Sequence, residues 1–313
     1  MSLSNSPFWF ASGASSADSD PNVYPYSLNQ SLRLFEGGLK KLDTSTSGNG
    51  KTYTLSAWFK LADLNNDGSA LNLFGAGAGT DATFVFRVRD NGTFQFSSRY
   101  VNTNGANFQW SRRSTKVLRD ISAWYHVCIN VDTTFQGATT KFDYFTVWLN
   151  GEDITTNFTY VNNTEESVAA TYDDPTRWNQ ASSQEQTVGY FEGNGTAGNY
   201  FNGYIAEVHS VDGLALDVST FGQYVNGIWS PKEVSIADYG TRGFYFDFAD
   251  SSNLGNDASS GGSEDYTSVN LNAHDQVPDV PINNFSVSQS RSQLFPVVLQ
   301  RRFPSSIKFR LLP

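Results

Sequence analysis

The sequence has a single cysteine, Cys128, among its 313 residues. One thiol excludes an internal disulfide framework, and the apolar alternating run around Cys128 predicts a small buried side chain. No apolar run reaches membrane-spanning length, and the N-terminus MSLSNSPFWF has no basic segment before its short apolar stretch. These absences predict a protein without a signal peptide or transmembrane segment, made in a reducing cytoplasm.

Basic residues are also scarce, since 21 lysines and arginines face 31 acids and the net charge is -10. A surface that binds nucleic-acid phosphates needs the opposite balance, so no nucleic-acid partner is expected. Residues 285–313 hold five basic residues and no acid, which leaves 16 basic residues against 31 acids, or -15, on residues 1–284. This basic tail is either a solvated end or a docking segment for an acidic neighbour.

Long amphipathic helical patterns are missing, and short alternating runs take their place. Runs such as YTLSAWFK (53–60), TFVFRVR (83–89) and WYHVCINVD (124–132) alternate apolar and polar residues, as half-buried strands do. Asn91-Gly92 predicts a type I′ hairpin. The series predicts an all-β, two-sheet antiparallel jelly-roll sandwich. The side chains expected inside it are Phe84, Phe86, Val127, Ile129, Val147, Ile205 and Val208.

Composition divides the chain into four segments. They are an N-terminal arm (1–27), the sandwich (28–216), a C-terminal extension that partly returns to the sandwich (217–284) and the basic tail (285–313). The aromatic cluster Phe8, Trp9 and Phe10 cannot bury itself within such a polar arm, and exposed apolar clusters usually mark contacts. We expect the arm, together with Arg301 and Arg302 of the tail, to dock on a partner.

Four motifs occur in a characteristic order: YTLSAWFK, WYHVCINVD, VWLNGEDI and YFNGYIAEVHSVDGLAL. Their order resembles the laminin-G-like and pentraxin-like branch of the concanavalin A-like lectin/glucanase sandwiches. The resemblance covers residues 28–216 and implies a concanavalin A-like jelly roll. Proteins of this branch often hold calcium with loop oxygens.

The flanking stretches GIWSPKEVSIADYGTRGFYFDFADSSNLGNDASSG and QVPDVPINNF resemble the extension attached to this sandwich in virion proteins of tailed bacteriophages, especially those of marine cyanobacteria. This resemblance implies a structural or adhesion subunit of the virion, such as a fibre, a knob or a capsid decoration. Its implied partners are other virion proteins, sister copies in a homo-oligomer and host-surface polysaccharide. Residues after Asn284 match no part of this pattern.

The strand YFNGYIAEVHSVDG places Glu207, His209 and Asp212 at the spacing of the acids in laminarinase-type enzymes. A retaining glycosidase needs two carboxyl groups about 5 Å apart. Here a histidine replaces the central acid, and Asp212-Gly213 is a turn signal. We therefore expect no enzyme and a hydrogen-bonded structural role for Glu207. A glycoside hydrolase of the glucanase branch is the alternative.

Two loops carry the aromatic, amide and charged side chains by which lectins hold sugars. The candidate glycan-binding residues are Tyr100, Asn102, Asn104 and Trp110 in one loop, and Asp173, Asp174, Arg177 and Trp178 in the other. The alternative for both is a solvated loop without a ligand.

The loop DLNNDG offers Asp63, Asn65 and Asp67 as calcium ligands, and calcium is the one candidate cofactor. An EF-hand is excluded because Phe74 stands where a bidentate glutamate is required. A polar turn is the alternative to a looser calcium site, which would make the protein a calcium-dependent lectin. The three histidines, His126, His209 and His274, are expected to lie too far apart for a zinc site.

Overall fold

A computed structural model describes residues 26, 28–42, 44–64, 70–77, 82–101, 107–135, 138, 141–160, 175–181, 185–193 and 196–281. Within these ranges the regular structure is twenty strands and four short 3-10 turns, without an α-helix. The 3-10 turns are Lys141–Tyr144, Thr155–Asn157, Val218–Thr220 and Ala273–Asp275. No helix in the described part is long and apolar enough to cross a membrane.

The strands run in chain order as β1 (Ser31–Leu34), β2 (Gly38–Lys41), β3 (Thr52–Leu61), β4 (Leu71–Ala76), β5 (Ala82–Val88), β6 (Thr93–Val101), β7 (Asn107–Val117), β8 (Trp124–Asp132), β9 (Phe145–Leu149), β10 (Glu152–Asp153), β11 (Phe158–Tyr160), β12 (Gln186–Val188), β13 (Phe191–Gly193), β14 (Thr196–Gly198), β15 (Gly203–Asp212), β16 (Gly222–Val225), β17 (Ile228–Pro231), β18 (Phe244–Phe246), β19 (Thr267–Val269) and β20 (Gln276–Val277).

Sixteen of these strands form two antiparallel sheets of eight. The first sheet has the order β10-β9-β8-β3-β15-β1-β20, with β18 also paired to β15. The second sheet has the order β11-β7-β6-β5-β4-β12-β2-β19. The two small hairpins β13-β14 and β16-β17 stand apart from both sheets. The predicted all-β, two-sheet antiparallel sandwich is confirmed.

The core lies between the sheets because alternate side chains of each strand point inward. On β3, Tyr53, Leu55, Ala57 and Phe59 belong to one large buried cluster with the phenylalanines of β5 and β6. All seven side chains expected inside the sandwich are at most 1% exposed. The alternation of apolar and polar residues is therefore sufficient to predict which side chains are buried wherever a strand is regular.

The hairpin β5-β6 forms as predicted, but its turn is of another type. Of Asn91 and Gly92, only Gly92 has a positive φ, of 75°. Gly92 N–H donates to the Arg89 carbonyl (2.8 Å), which closes a turn one residue earlier than a type I′ turn would. The type I′ pattern occurs at Asn150-Gly151 between β9 and β10, where both φ angles are positive.

A β-bulge breaks the apolar and polar alternation of β15. The pairing with β3 shifts between Ala206 and His209, and Glu207 has a φ of 49°. Ile205 and Val208 consequently both face the core, three residues apart. A strict alternation over residues 201–211, with all odd positions on one face, therefore fails beyond Ala206, because a bulge moves later side chains to the opposite face.

The C-terminal extension covers the outer face of the first sheet. Cys128, Val211, Val218, Phe221 and Tyr239 form a second buried cluster there. The free Cys128 is fully buried, as expected, and burial raises the pKa of its thiol well above the ordinary value. Further along, β18, β19 and β20 add strands to the two sheets. The extension is thus built into the sandwich through residue 281.

Candidate functional site

Glu207 and His209 lie beneath the extension rather than on an open strand. The Tyr245 hydroxyl donates to Glu207 Oε1 (2.8 Å), and the Tyr239 hydroxyl bonds His209 Nδ1 (2.9 Å). The His209 ring stacks on Tyr245 with centroids 4.3 Å apart. Burial first, and then the charge of Glu207, raise the pKa of both tyrosines, so the phenols stay protonated. Glu207 is the hydrogen-bonded acid that was expected.

Asp212 holds three separate loops together. Its Oδ1 accepts hydrogen bonds from Asn49 N (2.6 Å) and Asn179 Nδ2 (3.0 Å), and its Oδ2 accepts one from Arg242 N (3.0 Å). Burial raises the pKa of this carboxyl, while the three donors oppose that shift. A carboxylate with this many donors is occupied as a structural acceptor.

Two glycines allow the loops to come this close. A Cβ at Gly48 would lie 2.2 Å from Asp212 Oδ2, and one at Gly240 would lie 2.3 Å from the Asp212 carbonyl oxygen. Gly240 also has a φ of 79°, which an L side chain rarely adopts. Small residues are therefore required on both sides of Asp212.

The three loops enclose an open cleft of about 540 Å³, which we call the three-loop cleft. Its polar walls come from Asn49 and Lys51, from Gln180, and from Thr241, with Asp212 beneath them. Amides, a hydroxyl and an ammonium group can bind sugar hydroxyls by hydrogen bonds. The sequence pointed to none of these wall residues, and to Asp212 only as a candidate acid, since Asn49 and Asp212 are 163 residues apart and no local pattern joins them.

Trp178 does not have the position predicted for a sugar-stacking residue. Its side chain is fully buried, its ring contacts Phe74 and Phe84, and Nε1–H donates to Ser210 Oγ (3.1 Å). The prediction that Trp178 stacks on a glycan is wrong, because an aromatic ring closed inside the core has no face for a sugar. In a single sequence, a buried tryptophan in a polar loop looks the same as an exposed one.

The other predicted glycan residues are only partly placed. Arg177 is half-buried beside Pro175, a wall residue of the three-loop cleft. Tyr100 pairs with Phe108, and Trp110 pairs with Ser98, in the β6-β7 ladder. Asn102, Asn104, Asp173 and Asp174 lie outside the described residues, as do the docking residues Phe8, Trp9, Phe10, Arg301 and Arg302.

The predicted calcium loop is described only at its first ligand. Asp63 Oδ1 accepts a hydrogen bond from Leu64 N (2.7 Å), whereas Asn65 and Asp67 lie outside the described residues. In the described part of the chain, no three His, Cys, Asp or Glu residues group closely enough for a metal ion. Calcium binding by this loop stays a prediction.

Two of the three histidines are linked through Ser56 of β3. Ser56 Oγ bonds His126 Nε2 (2.8 Å), and the same Ser56 is the β-ladder partner of His209. Trp229 of the extension donates to His126 Nδ1 (3.1 Å). The extension therefore covers both imidazoles, and His274 lies apart in the Ala273–Asp275 turn.

Solved structures with a similar fold come from distant sources. A heptameric pentraxin from Limulus polyphemus is 13% identical, with 60% of this chain and 76% of that chain covered and a TM-score of 0.36. A putative carbohydrate-binding protein from Bacteroides ovatus is 14% identical over 72% of this chain and 53% of that one, with a TM-score of 0.40.

Tailspike protein 2 of the Escherichia coli bacteriophage CAB120 is 14% identical, with 61% of this chain and 23% of that chain covered and a TM-score of 0.36. No curated protein sequence is significantly similar to the chain.

A family model described as the concanavalin A-like lectin/glucanases superfamily matches residues 37–216, more than half of the chain. The match spans the strands from β2 to β15 and thus most of both sheets. The chain belongs to this Laminin_G_3 family and carries a concanavalin A-like, laminin G-like lectin domain.

Proposed function

We propose that this chain is a noncatalytic adhesion or structural subunit of a phage particle, a fibre, knob or capsid decoration, which binds host-surface glycans. The proposal that the chain is noncatalytic is supported by the hydrogen bonds of both candidate acids within the protein. Glu207 is bonded beneath the extension, and Asp212 accepts three hydrogen bonds from loop donors. Both acids are also buried, with Glu207 8% and Asp212 6% exposed, whereas a retaining glycosidase needs two carboxyl groups that flank the sugar.

The glycan site that the geometry supports best is the three-loop cleft, with Arg177 close in sequence to its wall residue Pro175, while Asp173 and Asp174 stay predicted contacts. The family contains lectins, and an open polar cleft suits a single weakly held sugar. The segment from Tyr100 to Trp110 is proposed as a second contact. Several copies on one particle would raise the avidity far above that of a single site.

The virion part of the proposal is supported by the phage-like extension sequence. The structure adds that this extension is integral to the sandwich, since β18 pairs with β15 and β20 with β1. A glucanase-type hydrolase and a calcium-dependent lectin are the alternatives, and the first is tested directly below.

Purified protein is expected to bind host polysaccharide with a dissociation constant of about 1 mM per site and to release no reducing sugar. Thr241→Trp should abolish binding at the three-loop cleft, because the exposed Thr241 lines the cleft and an indole would fill it. Ser235→Trp, at an exposed position of the extension, is the matched control. Calorimetry and a reducing-sugar assay provide the two readouts. Sugar release that disappears in Glu207→Gln would instead establish the hydrolase.

The arm and the basic tail are proposed to fasten the subunit to the virion or to sister copies. Deleting residues 1–24 removes Phe8, Trp9 and Phe10 and should leave a folded sandwich that no longer joins the particle. Replacing Arg301 and Arg302 by glutamine should weaken the attachment by charge alone. Both variants are compared with the full chain by incorporation into purified particles. Normal incorporation of the deletion variant would disprove the docking role.

A further inference from the structure

An unusual group of arginines lies on the outer face of the second sheet. Arg87 of β5 pairs with Gln95 of β6, and Gln95 pairs with Arg113 of β7, so the three form one row across the sheet. Phe86 and Val88, on either side of Arg87, are fully buried in the core. Alternation therefore directs Arg87 away from the core.

Gln95 is the acceptor around which the guanidinium groups gather. Its Oε1 accepts from Arg87 Nε (3.3 Å) and Nη2 (3.1 Å), and also from Arg89 Nη1 (3.5 Å). Its Nε2 donates to Ser111 Oγ (3.0 Å), which bonds Ser97 Oγ (2.7 Å). The amide is thus fixed on one side by serines and presents its oxygen to the arginines.

The charges of Arg87, Arg89 and Arg113 have no acidic partner among the described residues. The ion pairs of the described residues join other side chains, such as Lys40 with Glu185 and Lys116 with Glu152. Burial, and then the charges of Arg89 and Arg113, lower the pKa of Arg87 to about 10. Three cations held together and partly desolvated repel one another, and an anion would relieve that repulsion.

The Gln95 oxygen indicates which anion fits. This one neutral oxygen accepts from both Nε and Nη2 of Arg87, whereas a bidentate carboxylate would offer a separate oxygen to each of two donors. The chain therefore places a neutral sp² oxygen where an arginine usually has an acid. Arg113 is exposed and pairs with Gln95, which puts it on the same face of the sheet, and its planar guanidinium can bind a carboxylate in the bidentate manner.

We propose that this arginine face, formed by Arg87, Arg89 and Arg113 with Gln95, binds the carboxylate of a uronic-acid residue in an acidic oligosaccharide. The saccharide class rests on the proposed glycan-binding function, and the carboxylate rests on the arginine geometry. The face belongs to β5, β6 and β7 and shares no residue with the three-loop cleft. It gives an acidic protein a local site for an acidic polymer.

The test compares tetragalacturonate with its methyl ester, which has the same sugars without the charges. Calorimetry at low salt should show about tenfold weaker binding of the ester. Arg89→Gln and Arg113→Gln should each weaken tetragalacturonate binding about tenfold, and added salt should weaken it further. Arg33→Gln removes the same charge from an exposed position of the first sheet and should change nothing. Thermal unfolding confirms that each variant is folded.

Equal binding of acid and ester, or unchanged binding by both arginine variants, overturns the inference. In that case binding that is still lost in Thr241→Trp would leave the proposed function standing. Binding only of a sulfated galactan tetrasaccharide overturns the choice of carboxylate. Self-association at low salt that disappears in Arg113→Gln would show that the face takes a second copy of the chain. Absence of binding by every oligosaccharide overturns this inference and the proposed function together.

Discussion

Trp178→Ala should lower the free energy of unfolding by about 3–5 kcal/mol. The indole is fully buried, with centroids 5.7 Å from Phe74 and 5.4 Å from Phe84. Its removal leaves a cavity between the two sheets and deprives Ser210 Oγ of a donor 3.1 Å away. Urea unfolding at constant pH measures the change.

Two control variants separate the effect of burying an aromatic ring from the effect of losing the indole N–H. Trp178→Phe keeps an aromatic ring and loses the N–H, so it should cost less than the alanine. Phe35→Ala removes an aromatic side chain that is 57% exposed and should have little effect. A loss below about 1 kcal/mol for Trp178→Ala would contradict burial and restore the sugar-stacking role predicted from the sequence.

Acid should weaken the fold through His126. Burial, and to a lesser degree His209, lower the pKa of His126 to about 3 from its ordinary 6.5. The Trp229 N–H can only donate, so Nδ1 accepts and the proton on Nε2 donates to Ser56 Oγ. Protonating Nδ1 would set two donors against each other. The Trp58 ring has its centroid 4.9 Å from that of the imidazole. It is neutral and offers no negative charge to stabilise a protonated His126.

The direction of the change in stability with pH follows from the linkage between protonation and folding. The folded-state pKa is lowered, so the stabilisation is present above the unfolded value and is lost as pH falls toward about 3. Between about pH 7 and about pH 4.5, the wild-type protein should lose about 2–3 kcal/mol more than His126→Gln. His274→Gln, in an exposed turn, should keep the full wild-type slope. Equal slopes for wild type and His126→Gln would show that His126 does not titrate in this way.

Regular alternation made most of the fold predictable. The pairing of β3 with β8 is unbroken from Thr52 to Lys60, so the apolar positions alone identify the inward face of these strands. The bulge at Glu207 could not be predicted from the sequence. A positive φ usually shows in the sequence as a glycine or an asparagine, and here a glutamate adopts it. Strict alternation would set Ile205 and Val208 on opposite faces, although both are apolar, were expected inside and belong to the core.

The candidate site was harder to predict for a different reason. Asn49, Asn179 and Arg242 meet at Asp212 from three loops that are distant in sequence. Only the folded sheets bring them together, and each residue alone looks like an ordinary loop residue. The arginine face is the opposite case, since Arg87, Gln95 and Arg113 lie on strands whose pairing follows from two hairpins.

The partners of β1 determine when this sandwich can be completed during synthesis. Leu32 pairs with Ile205 on one side and with Gln276 on the other, so both neighbours of an early strand are made late. Pairings of such high sequence separation slow folding, because a long loop must close before they form. At about 5–20 residues per second, a ribosome needs at least about ten seconds to make the chain between β1 and β20. One edge of β1 lacks its native partner until β15 is made and the other until β20 is made, and an unpaired strand edge is where another chain can pair.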